Sequence, residues 1–228
     1  MTHIKTLIGN LAFVVLASLS LATLFSPTAS AAEPSVAGAV IHVQGKANVV
    51  RGSLTTPLTV GKQVTVGDGI VTGKDSRVGL KMVDGGVLRL GADTVFIIEN
   101  YAYSEQANEG QARLFMLKGV MRVITGAIGK TKERDFKLGT SVATMGVRGT
   151  DFWIGYYFSD ALDVALISGA GVYADNAAGR MEITRAGDGI AVKGFDQLPA
   201  PPIHWGQKKY DAALQSVAWE GEAEYGKR

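Results

Sequence analysis

Cysteine is absent from the 228 residues. That removes disulfides, thiolate metal ligands and cysteine nucleophiles together. Histidine is nearly absent: beyond His3 there are only His42 and His204, and no His-x-x-x-His or Glu-x-x-His spacing offers a zinc site. Neither sign of charge dominates. Lys and Arg number 23 against 21 Asp and Glu, so no long-range field draws nucleic acid. No Gly-x-Ser-x-Gly elbow presents a nucleophile. Gly126 to Thr131 ends in Gly-Lys-Thr, but a phosphate loop needs glycine where Ile124 stands. That segment reads as a glycine turn with solvated Lys130 and Lys132. Asp68, Asp84 and Asp188 each neighbour glycine without the acidic series of a calcium loop, and read as turn caps. A carboxylate pair for glycoside hydrolysis would meet only in three dimensions, and nothing local argues for one. The expectation is a protein that is not an enzyme, with no cofactor and no metal.

What is present is core material and turns. Hydrophobic residues make up 46% of the chain, charged residues 19%, and there are 29 glycines. That composition builds a packed domain, not a disordered chain. Residues 1–31 follow the order of a signal peptide: Lys5, an apolar run from Leu11 to Phe25, Pro27, then Ala29-Ser30-Ala31 as a cleavage site. Cleavage there leaves a mature chain from Ala32 with no membrane span, and no Cys follows the run to carry a lipid. An uncleaved anchor is the alternative. The expected location is the periplasm, or outside the cell after secretion.

From Val36 to Lys193 short apolar runs alternate with turn residues. Strands are expected at 39–43, 47–51, 69–72, 77–83, 87–90, 94–99, 112–117, 120–125, 136–138, 142–145, 152–158, 164–167, 171–174, 181–185 and 189–192. Val78, Leu80 and Met82 alternate with Arg77 and Lys81, and Asp84-Gly85-Gly86 turns the chain into Val87 to Leu90, which reads as a hairpin. Leu114 to Leu117 and Val120 to Ile124 are apolar on both faces, which predicts cover on both sides. Pro199, Pro201 and Pro202 end the β pattern. Tyr210, Leu214 and Val217 then recur at helical spacing, between Gly206 and Glu220. The reading is all-β: one β-sandwich or β-roll-like domain of many short strands, or a short β-solenoid, with a C-terminal amphipathic helix. The divisions are 1–31 leader, 32–198 β domain, and 199–228 Pro-rich boundary and helical tail.

The most distinctive segment is Ala143-Thr144-Met145-Gly146-Val147-Arg148-Gly149-Thr150-Asp151-Phe152. Gly146 and Gly149 allow a bulge or a close backbone approach. Arg148 carries five donors in a planar fork. The favoured expectation is a buried Arg148 tying backbone carbonyls or a carboxylate such as Asp151. The alternative is an Arg148 presented to an acidic partner.

This segment resembles the signature of the FecR-like periplasmic domain family: Gly146, Val147, Arg148, Gly149, Thr150, Asp151 and Phe152. Other pieces resemble the family in the same order. They are Gly45-Lys46-Ala47, Val66-Gly67-Asp68-Gly69-Ile70-Val71-Thr72-Gly73, Ser76 to Leu90 with Asp84-Gly85-Gly86, Leu117 to Arg122, and Val164 to Val172. Gly67, Asp68, Asp84 and Gly85 are its expected turn residues. Gly139-Thr140-Ser141 departs from a common Thr-Pro pair. The resemblance covers roughly 38–195 and implies an envelope β domain that works by binding. Its signalling members contact an outer-membrane transducer and regulate a sigma factor through a cytoplasmic domain. Only about ten residues precede the apolar run here, so that output is not expected. The expected partner is another envelope protein, such as an outer-membrane transducer. Envelope glycan is the alternative, bound on an aromatic platform of Trp153, Tyr156 and Tyr157.

Overall fold

The structure, a computed structural model, describes residues 35–133 and 135–219. The leader read at 1–31 lies outside the described residues, as do residues 220–228. Eighteen strands form two nine-stranded sheets. The first sheet holds β1 (Val36–Gln44), β4 (Gln63–Thr65), β6 (Arg77–Met82), β7 (Val87–Leu90), β10 (Val120–Ile124), β13 (Thr150–Gly155), β14 (Leu162–Gly169), β17 (Asp188–Val192) and β18 (Ile203–His204). The second holds β2 (Ala47–Arg51), β3 (Leu54–Pro57), β5 (Gly69–Thr72), β8 (Val95–Ser104), β9 (Glu109–Lys118), β11 (Asp135–Gly139), β12 (Thr144–Val147), β15 (Val172–Asn176) and β16 (Gly179–Ile183). A 3-10 turn, Ile128–Lys130, and one helix, α1 (Gln207–Gln215), complete it.

The chain crosses between the sheets after every one or two strands, so both grow from β3 and β4 at one end to β16 and β18 at the other. Pairing is antiparallel except between β9 and β11, which the crossover through β10 makes possible. The expected sandwich with a helix near the C-terminus is what forms. The sequence reading passed over β3, β4 and β18. All four β3 residues are exposed, β4 has three residues and β18 two. None is long enough to show an alternation.

Alternation places the core. Val78, Leu80 and Met82 of β6 and Leu88 and Leu90 of β7 point inward, where they meet Phe96, Ile98, Leu114 and Met116 of the second sheet. Gly85, at φ +83°, turns this hairpin as the Asp-Gly pair demands. A second, smaller cluster lies on the outer face of the first sheet. There Val120, Trp153 and Ala165 pack against Trp205, Ala213 and Val217 of the C-terminal segment. The helix expected from Tyr210, Leu214 and Val217 thus docks on the β body, though it ends at Gln215.

Candidate functional site

Of the three carboxylates beside glycine, Asp68 and Asp84 are buried, whereas Asp188 meets the exposed His204 at 2.9 Å. The fully buried Asp68 accepts Nε and Nη2 of Arg51 at 2.7 and 2.8 Å and the Thr65 amide at 2.8 Å. Burial alone would raise its pKa, but the Arg51 and Thr65 hydrogen bonds outweigh it and hold the group below the usual carboxylate value. Gly67 beside it sits at φ +90°. Asp84 accepts the Gly86 amide at 2.9 Å, the Tyr101 hydroxyl at 2.8 Å and the Ile128 amide at 3.1 Å. The Gly126-to-Thr131 segment therefore turns a backbone amide onto an internal carboxylate. Burial, with the Asp84 charge, pushes Tyr101 far above its ordinary pKa. Among the described residues no three His, Asp or Glu side chains gather to hold a metal ion.

The Gly146-to-Phe152 segment is a corner where the chain leaves the second sheet at β12 and enters the first at β13. Val147 and Phe152 fill the core on either side. Gly149 turns the corner at φ +63°, a conformation that glycine adopts without strain. Thr150 locks it: its hydroxyl donates to Gly171 O at 2.6 Å and accepts the Arg148 amide at 3.2 Å. Its own amide donates to Thr125 Oγ1 at 2.8 Å. Asp151 binds Arg122 bidentately, Nε to Oδ1 at 2.9 Å and Nη2 to Oδ2 at 2.7 Å. Burial alone would lower the Arg122 pKa, but the Asp151 hydrogen bond and charge raise it. Its neighbour Arg89 is 1% exposed and lies 4.6 Å from the Trp219 ring centroid. Burial first, and then the Arg122 charge, lowers Arg89 to about 10.

Arg148 is not where the sequence reading favoured it. Its side chain is 53% exposed and, among the described residues, pairs with Glu182 at 3.5 Å. The reason is register. Met145 and Val147 point into the core and Gly146 faces out, so the bend after Val147 carries the next side chain into solvent. Asp151 lies on the first sheet, opposite Ile124, where Arg122 reaches it first.

On the outer face of the second sheet, Asn100, Arg113, Lys137, Gly146, Tyr173 and Glu182 form one cross-strand row. Tyr173 lies flat over Gly146, where a Cβ would stand 2.1 Å from its ring. Arg180 stacks on Tyr173 at 4.1 Å and pairs with Asp175 at 2.6 Å. Arg113 and Gln111 both bond Asp135, and Asn100 bonds Gln111. These hydrogen bonds hold Asp135 low against the upward push of burial. Phe115 is half-buried and Leu117 is 52% exposed, so β9 lacks the outer cover expected of it. Only β10 received that cover, from the C-terminal segment.

The aromatic platform does not form. Trp153 is buried, edge-on to Trp205, with its Nε1 donating to Ser216 Oγ at 3.0 Å. Tyr156 is half-buried and bonds Ser141. The sequence reading also missed Glu182 as the partner of Arg148, and Lys137 and Tyr173 as the strand partners of Gly146. The available signal was the alternation of Arg180 and Glu182 with Met181 and Ile183.

These features define a two-sheet β module with one outer face strapped and the other uncovered among the described residues. Residues 68–170 match the family model described as FecR protein. The match contains the whole corner and ends before Tyr173, Glu182 and the C-terminal segment. Two crystal structures of a candidate anti-sigma factor from Parabacteroides distasonis, at 1.65 and 2.50 Å resolution, are among the solved structures this chain resembles. Identity is 20% in both, the TM-scores are 0.49 and 0.50, and 64% of each chain is covered. This chain therefore spans just under two thirds of the length of those neighbours. No curated protein matches it.

Proposed function

We propose that the chain is an exported, non-enzymatic FecR-type module that binds another envelope protein, with Arg148 meeting an acidic group of that partner. The carrying observation is the division of labour at the corner. Thr150 and Asp151 spend their hydrogen bonds inside the fold, whereas Arg148 holds its guanidinium half in solvent with one long ion pair among the described residues. A planar fork so placed suits a carboxylate from outside. The open face beside it adds Lys137, Tyr173 and Arg180, a charged surface around an aromatic ring, as protein interfaces often have. Export rests on the order of Lys5, the apolar run and Ala29-Ser30-Ala31. The partner this reading favours is an outer-membrane transducer, from the resemblance to signalling members of the family.

The experiment is quantitative capture from an envelope extract by the tagged chain, its Arg148→Glu variant, and Lys208→Glu. Lys208 is an exposed residue of α1, so the last variant makes the same charge change elsewhere. The expected result is a defined partner held by wild type and Lys208→Glu and lost from Arg148→Glu. Equal capture by all three would reject Arg148 as the contact.

A further inference from the structure

Two nine-stranded sheets leave four edge strands, and natural sheets protect such edges from pairing with other chains. Three edges here are protected. β3 ends at Pro57, and Lys62 Nζ lies along it, donating to Thr56 Oγ1 and Pro57 O. β18 has two residues and follows Pro201-Pro202. β4 has three, and its Thr65 amide donates to Asp68. β16 has none of these devices. It runs five residues without proline or bulge. Among the described residues its backbone bonds no strand except β15. Three large apolar side chains at this end of the sandwich face water: Phe195, Leu198 and Ile203. Leu198 adjoins the edge itself, since a Cβ on Gly179 would stand 2.9 Å from its Cδ1.

We propose that β16 is a dimerisation edge that pairs antiparallel with β16 of a second copy, about a two-fold axis at Met181. The occupant follows from the strand's own sequence, Gly179-Arg180-Met181-Glu182-Ile183. An antiparallel pair centred on Met181 sets Arg180 opposite Glu182 of the partner subunit, and the reverse by symmetry. Opposite charges directly across a strand pair attract. The half-buried Met181 meets Met181 of the partner subunit on the core side. Gly179 meets Ile183 of the partner subunit, which leaves room beside Leu198. Such an isologous contact closes on itself and turns each second sheet into half of one continuous sheet. This inference goes beyond the binding role at Arg148 and does not depend on it.

The test is the solution mass of the chain expressed from residues 1–228. A dimer is expected. Arg180→Glu places like charges opposite each other twice and should weaken the dimer at least about tenfold. The double variant Arg180→Glu/Glu182→Arg restores both pairs and should restore the dimer. Because the chain has no cysteine, Met181→Cys should form a disulfide-linked dimer under mild oxidation. Arg180→Cys should not, because its symmetry mate lies diagonally, roughly 7–8 Å away. A folded chain that stays monomeric up to about 0.1 mM overturns the proposal. So does a dimer indifferent to Arg180→Glu, or a monomer that adds an extended peptide of another protein to β16.

Discussion

Two cross-strand rows, one on each outer face, show how differently the two sheets are finished. On the first sheet His42, Gly79, Arg89, Arg122, Trp153, Ala165 and Gly189 lie in register, and the C-terminal segment covers much of the row. Trp219 stacks on His42 and Arg89, Ser216 meets Trp153, and Trp205 lies over Gly189. On the second sheet Asn100, Arg113, Lys137, Gly146, Tyr173 and Glu182 lie in register, with nothing over them among the described residues. The glycines explain the contrast. Gly79 and Gly189 are notches filled by tryptophans from a distant part of the chain, whereas Gly146 is filled by Tyr173 from the adjacent strand. A notch filled from afar builds a strap, and a notch filled locally smooths a surface that stays available for binding.

The largest way to break this contrast is Trp153→Ala. Trp153 is fully buried beneath the strap, and removing a buried Trp costs about 3–5 kcal/mol. For a chain of this size the melting temperature should fall by roughly 10 °C, as a thermal melt followed by circular dichroism would record. A fall below about 3 °C would mean that the strap contributes little. Gly189→Ala and Gly146→Ala sharpen the comparison. A Cβ on Gly189 would stand 2.3 Å from Trp205 Nε1 and 2.7 Å from the Val164 carbonyl. The backbone oxygen cannot swing aside, so overpacking should cost about 1–3 kcal/mol. On Gly146 the obstacle is the far end of the half-buried Tyr173 side chain, which can shift together with the exposed Arg180 stacked on it, so the change should stay within about 1 kcal/mol. Urea denaturation of both variants measures the difference. Equal costs would erase the distinction between the faces.

Much of the β pattern was legible because half-buried strands alternate. Val78, Leu80 and Met82 point inward as their spacing demanded. Which outer face is covered was not legible. β9 and β10 are both apolar on two faces, yet only β10 lies under the strap. Cover comes from residues some 90 positions downstream, and no local period records it. The corner residues were found as a motif, but their roles depended on register. Arg148 and Asp151 are three apart in sequence, yet the bend sends one to solvent and gives the other to Arg122.

A smaller effect separates the inner carboxylates from both faces. The Asp68 pKa lies below its unfolded value, so its contribution to stability is complete above about pH 4. That contribution is lost as pH falls through the folded pKa. Wild type should lose melting temperature more steeply below pH 4 than Asp68→Asn does, although the variant starts lower at pH 7. Parallel acid limbs would mean that Asp68 is not held by Arg51 and Thr65 in solution.

The central claim is that the corner divides its polar residues between the fold and a partner. Paired thermal melts of Asp151→Ala and Arg148→Ala test it most directly. Removing Asp151 strips a largely buried arginine of its carboxylate, at about 3–5 kcal/mol, so that variant should melt roughly 10 °C low. Removing the exposed Arg148 side chain should change melting by no more than about 1 °C, as for a surface substitution within about 0.5 kcal/mol. If Arg148→Ala melts as low as Asp151→Ala, Arg148 holds the fold together and the division between fold and partner does not exist.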